Sequence, residues 1–142
     1  MPQKTVKVEL TMGANFETEV RVRDHRMLID QTVAAGGQDA GPSPLEYLLA
    51  SLGGCICAIG RIVAHQRKIN LRGMYVAVEG DLDTDVLLGK DTDKRAGFES
   101  FRISAQVDAD LTDQEKRDFL HEVDRRCPVS ENLQHLTTIE FV

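Results

Sequence analysis

The central apolar run of this sequence reads as too short for a membrane span, and no stretch is basic enough for a nucleic-acid partner. Cysteine is also too scarce, and odd in number, for a secreted disulfide framework. The central apolar stretch from Tyr47 to Gly60 falls short of the roughly 20 residues that cross a bilayer, and Arg61 ends it. The N-terminus, MPQKTVKVEL, is polar and alternating where a signal peptide would carry an apolar core. The net charge is -6, with acids and bases interspersed, so no stripe suits a phosphate backbone or an anionic membrane. There are no internal repeats or linkers. These absences leave a cytoplasmic protein with no nucleic-acid and no membrane partner as the expectation. Its 142 residues suit a single domain, 1–142, able to bury a real core.

Metal-ligand spacing is missing too. Cys55 and Cys57 are two apart, so on a helix they point about 200° from each other and cannot grip one ion or bridge to one another. His25, His65, His121 and His135 show no ligand spacing with them. No metal and no cofactor are expected.

Alternation is what the N-terminal third has. Val6, Val8, Leu10 and Met12 interleave with polar residues, Gly13-Ala14-Asn15 turns, and Phe16 to Arg23 alternates again. Asp24-His25 turns the chain into a third strand, Arg26 to Asp30. This predicts an antiparallel meander. Met74 to Leu82 and Phe101 to Val107 predict a further pair of strands around a long charged loop, Asp83 to Gly97. Thr112 with Glu115 opens a helix with a capping box, and Pro128 ends it near Arg126. A short turn, Ser130 to Gln134, and a last strand, Thr137 to Val142, complete the chain. The fold class is α+β.

Between the two halves lies GPSPLEYLLASLGGCICAIGRIVAHQRKI, residues 41 to 69. Ser43 is placed to cap a helix, with Pro44 at its first position and Glu46 closing a capping box. Leu45, Leu48, Leu49, Leu52, Ile56, Ile59 and Val63 recur at helical spacing up to about Lys68. Yet Gly53, Gly54 and Gly60 each cost the helix about 0.8–1 kcal/mol relative to alanine. With Ala50, Ser51 and Ala58 they make a thin waist, apolar nearly all round, which suits close approach by other backbone. Burial on all sides by a second copy of the chain is the economical solution. A thin helix packed on its own sheet is the plainer alternative.

Cys55 lies in line with Leu48, Leu52 and Ile59; Cys127 lies in line with Leu120 and Val123. Both thiols therefore sit on apolar helix faces, which two helices on one core would bring together. Cys57 is off that face and reads as a packing residue. Cys55 is too far from its helix N-terminus to gain from the dipole, so a nucleophilic Cys55 needs a cation from elsewhere in the fold or from a partner. Cys127 follows Arg125 and Arg126, which favour thiolate, but sits at a helix C-terminus, which disfavours it. Such a pair permits a nucleophile-and-resolving-thiol cycle through a sulfenic acid and a disulfide. All three cysteines as inert packing residues is the blander alternative.

Taken together, GPSPLEYLLASLGGC and CPVSENL resemble the OsmC/Ohr family, named for osmotically inducible protein C and organic hydroperoxide resistance protein. The resemblance runs over nearly the whole chain, and the sequence looks closer to a less-characterised branch carrying P-x-E and G-G-C. It implies an OsmC-like fold, antiparallel sheets wrapped around two central helices in an intertwined homodimer. It also implies a thiol-dependent peroxidase acting on a small organic hydroperoxide, without metal or haem, with an external dithiol as reductant. Cys55 matches the peroxidatic cysteine and Cys127 the resolving one. In the best-known peroxidases of the family a glutamate directly follows the motif proline; here Leu45 stands there and the carboxylate comes one later, at Glu46. Glu46 is a candidate catalytic residue, but it lies nine residues before Cys55, about 13 Å along a helix and on roughly the opposite side. Its other role is to close the capping box. Those peroxidases also hold the thiolate with an N-terminal arginine. The turn from Met12 to Phe16 contains none, and Arg23 and Arg26 match no motif. The alternative function is a non-catalytic module that binds a small hydrophobic or electrophilic ligand at the dimer cleft.

Overall fold

A computed structural model describes residues 2–90 and 93–142. Asp91 and Thr92, inside the predicted 83–97 loop, lie outside the described residues. The chain forms two compact units, one up to Leu48 and one from Leu49 to Val142.

In the first unit, β1 (Glu9–Met12), β2 (Thr18–Val22) and β3 (His25–Ile29) form the predicted antiparallel meander in the order β1-β2-β3. Leu10 pairs with Val20, and Val20 with Met27, so one sheet face is apolar. The other face carries Glu9, Arg21 and Arg26 in one row, and Glu19 accepts from both arginines. Arg23 takes a left-handed φ of 54° in the turn into β3. The Gly-rich loop that follows is ordered by Asp30, which is buried. Its carboxylate accepts from the backbone amides of Gln31, Gln38 and Ala40 at 2.7, 3.1 and 3.1 Å. These amides, Ala40 first, hold the carboxyl below the usual aspartate range. Gly37 is required here, because a Cβ would run into the Gln31 carbonyl.

A helix, α1 (Pro44–Arg67), runs from the first unit into the second. The predicted capping box is present: Glu46 N donates to Ser43 Oγ at 3.2 Å, and Ser43 N to the Glu46 carboxylate at 2.9 Å. By length and composition this helix could cross a membrane, since its apolar character continues past Arg61. However, Leu52, Ile56, Gly60, Val63 and Ala64 are buried, and the Arg61 guanidinium donates to the Leu71 carbonyl at 2.7 Å. That is a core helix's behaviour.

The second unit packs α1 against β4 (Gly73–Asp81) and β5 (Ser100–Asp108), an antiparallel pair in register from Gly73 opposite Asp108 to Asp81 opposite Ser100. A second helix, α2 (Asp113–Arg126), opens on the predicted Thr112–Glu115 capping box. Leu52, Ile56, Val63, Val107, Phe119 and Val123 form the core. Two of the helix glycines serve close approach within the chain. A Cβ on Gly53 would press on Val78, and one on Gly60 would meet Met74 and Phe119.

Three expectations are corrected. Residues 130–134 are not a turn but most of a third helix, α3 (Pro128–Gln134). Pro128 stops α2, yet a proline is also well suited to the first position of a helix, and Cys127 caps it. Residues 137–142 form no strand. Their alternation persists, but a strand needs a neighbour for its backbone groups, and Ile139 and Phe141 are fully out in solvent. Finally, the Cys57 side of α1 is exposed. Gly54, Cys57, Ala58 and Ile62 are exposed, so Cys57 is not a packing residue of this chain.

Candidate functional site

The two cysteines that share the apolar faces of α1 and α2 meet. Cys127 is fully buried, Cys55 is half-buried against the same core cluster, and both are free thiols. Cys55 is close enough to perturb the Cys127 thiol. Burial is the main cause that pushes the Cys127 thiol up from its ordinary value, and the neighbouring Cys55 thiol adds to it.

Backbone amides of Ser130 and Val129 oppose that rise. Cys127 has extended dihedrals, φ -78° and ψ 111°, which the following proline enforces. The same geometry lets it end α2 and cap α3 at once: its N–H donates to the Asp124 carbonyl at 3.2 Å, and its sulfur accepts from Ser130 N at 3.4 Å. Its predicted place at a helix C-terminus is therefore half the truth, since it also stands at a helix N-terminus. The arginines expected to favour its thiolate point elsewhere. Arg125 donates to Glu122 at 2.8 Å and Arg126 to the Gln66 side chain at 2.9 Å.

Ser130 is the residue that sequence reasoning missed. It is buried, its hydroxyl donates to Asp124 at 2.6 Å, and it accepts from Gln134 Nε2 at 2.8 Å. Its spacing, three after a cysteine that precedes a proline, is an N-cap signal, readable once α3 is recognised as a helix. A cleft of about 300 Å³ reaches Ser130, with Leu52, Phe101, Ile103 and Leu133 as apolar walls and Asp124, Ser130 and Gln134 as its polar part.

Glu46 belongs to the first unit, where its carboxylate is held by Ser43; that contact keeps it below the usual glutamate range. Arg26 is bound to Glu19 at 2.7 Å, and Arg23 is exposed in its turn. Among the described residues, no group of three or more His, Cys, Asp or Glu is placed to hold a metal.

Similarity to known proteins agrees with this architecture. No curated protein matches the chain. Among solved structures, an OsmC-like protein from Mycoplasma pneumoniae superposes with a TM-score of 0.82 at 19% identity, over 95% of this chain and 91% of that one. An organic hydroperoxide resistance protein OsmC from Legionella pneumophila gives 0.71 at 19% identity, over 94% and 92%. An organic hydroperoxide resistance protein from Elizabethkingia anophelis gives 0.71 at 17% identity, over 92% and 88%. At these identities the likeness is one of fold. The family profile for OsmC-like proteins matches residues 36–142, a span that holds both cysteine motifs and most of the chain. The chain belongs to the OsmC-like protein family.

Proposed function

We propose that the protein is a thiol-dependent peroxidase that reduces organic hydroperoxides. The observation that carries this reading is a half-buried Cys55 and a fully buried Cys127 brought against one core cluster, close enough for Cys55 to perturb the Cys127 thiol. Two of its structural relatives are named organic hydroperoxide resistance proteins, which supports the substrate class.

The Cys55 thiolate attacks the terminal oxygen of the hydroperoxide. The O–O bond breaks, the alkoxide leaves and takes a proton to become the alcohol, and Cys55 becomes a sulfenic acid. The Cys127 sulfur then attacks the Cys55 sulfur. Hydroxide leaves as water, with the Cys127 proton, and a disulfide forms. An external dithiol returns two electrons and two protons, and is itself oxidised to a disulfide. Burial suits Cys127 to the second role, because a thiol that keeps its proton does not compete for the peroxide.

A catalytic role for Glu46 rests only on its lying one residue past the family's glutamate position. A homodimer is part of this reading, in the intertwined form typical of the resemblance. Support comes from the exposed small face of α1, the apolar face of the β1-β2-β3 sheet, and the bare alternation of residues 137–142. We read residues 1–142 as one domain, because the family match runs across the boundary between the two units. The cytoplasm is the proposed location, since free thiols need a reducing compartment.

The test adds cumene hydroperoxide and titrates free thiols in denaturant. The expected result is loss of the Cys55 and Cys127 thiols together, with no disulfide in Cys127→Ser. Thiols that survive prolonged excess peroxide would end the reading. The alternative, a binding module without turnover, is favoured by Leu45 in the glutamate's place and by Arg125 and Arg126 being engaged away from the pair. It predicts a hydrophobic ligand that raises the Tm of Cys55→Ser protein.

A further inference from the structure

The peroxidase reading leaves unused the polar chain that lines the cleft and ends on the Cys127 sulfur. Ser130 is only 5% exposed, and its hydroxyl is fully engaged. It donates to Asp124 Oδ1 at 2.6 Å and accepts from Gln134 Nε2 at 2.8 Å. Asp124 lies in the last turn of α2, while Ser130 and Gln134 lie on α3. The hydroxyl therefore clamps α3 to α2 across the joint at Cys127. The backbone amide of this same serine donates to the sulfur at 3.4 Å.

At the other two α-helices the cap has a reciprocal partner. The Thr112 and Ser43 caps bond to amides whose own residues, Glu115 and Glu46, reach back to the cap. At Cys127 the third residue is a serine too short to reach back, and it turns to Asp124 instead. A sulfur is a long, weak acceptor, so its bond to the amide depends on that amide's direction.

We propose that Ser130, braced by Asp124 and Gln134, is a positioning residue that aims its backbone N–H at the Cys127 sulfur and so fixes that sulfur toward Cys55. Ser130 is not a reacting group in this scheme. Its N–H holds the sulfur on the side from which it reaches its partner, and it accepts the charge that develops on that sulfur as it loses its proton. The inference rests on the resolving role proposed for Cys127, so its test uses an oxidant that needs no peroxidatic step. Diamide takes two electrons and two protons from the thiol pair, becomes its hydrazine, and leaves the disulfide.

In a Cys57→Ser background, the rate of Cys55–Cys127 disulfide formation with diamide is followed by mass spectrometry of quenched samples. Ser130→Ala is expected to slow it about fivefold, the kinetic equivalent of one ordinary hydrogen bond. Ser130→Thr, which keeps the hydroxyl, restores most of the rate. Asp124→Ala, which leaves Ser130 in place but removes its brace, slows it like Ser130→Ala. An Ala rate equal to the parent's, or a Thr rate as low as Ala's, would overturn the proposal. Far-UV circular dichroism separates slowing from unfolding, and Asp124→Ala carries the test if Ser130→Ala is unfolded. The two failures are distinguishable. Protein that resists cumene hydroperoxide yet shows this ranking with diamide loses its peroxidase function and keeps its positioning residue.

Discussion

At the scale of single residues, three thiols in one chain differ in burial: Cys57 exposed, Cys55 half-buried, Cys127 buried. Alkylation by iodoacetamide on the reduced, folded monomer should follow that order, with Cys127 slowest because burial also keeps it protonated. Peptide mass spectrometry after short exposures checks this. If a second copy covers α1, Cys57 falls behind Cys55, and the ranking then reports assembly. Asp30 offers a separate test. Its folded pKa is depressed, so its contribution is full above the unfolded value near 3.9 and is lost as pH falls through the folded value. Thermal melts between pH 7 and pH 2 should show a steeper acid loss for the parent than for Asp30→Asn, and a lower Tm for the variant at neutral pH. Why was Asp30 illegible beforehand? Its three amide partners come from a loop whose path no periodicity encodes.

At the scale of elements, what could be read and what could not divides on whether the signal was local. The meander, both capping boxes and the ends of α1 and α2 follow from alternation, 3.6-residue spacing and short-range caps, all of which sit in adjacent residues. Helix α3 was hidden because one proline does two jobs, and a strand at residues 137–142 was expected from an alternation that pairs with no strand among the described residues. Thr112→Ala is expected to destabilise the protein by about 1 kcal/mol through loss of the cap on α2, with urea melts as the check. Gly54 is the other informative position. A Cβ there meets nothing within 4 Å, so Gly54→Ala should stabilise an isolated chain by up to about 1 kcal/mol from helix propensity.

At the scale of the whole molecule, the same glycine asks a different question. A chain that works alone tolerates Gly54→Leu, whereas a chain whose α1 packs closely against a second copy does not. Light scattering behind size exclusion should give a dimer for the parent and a shift toward monomer for Gly54→Leu. Parent protein that stays monomeric at high concentration would remove the dimer from the functional reading. That both cysteines back onto one core was legible, because each stands in phase with an apolar helix stripe. The amide that steers Cys127 was not, since it depends on how two helices join.

One consequence of α1 remains. It is a rod that carries Cys55 on its inner flank and Gly54 with Cys57 on its outer one. A helix is stiff, so whatever restrains the outer flank also quiets the inner one. Diluting the protein would then detune the sulfur chemistry without altering a single covalent bond, and the speed of the inner thiol would become a gauge of how crowded the outer flank is.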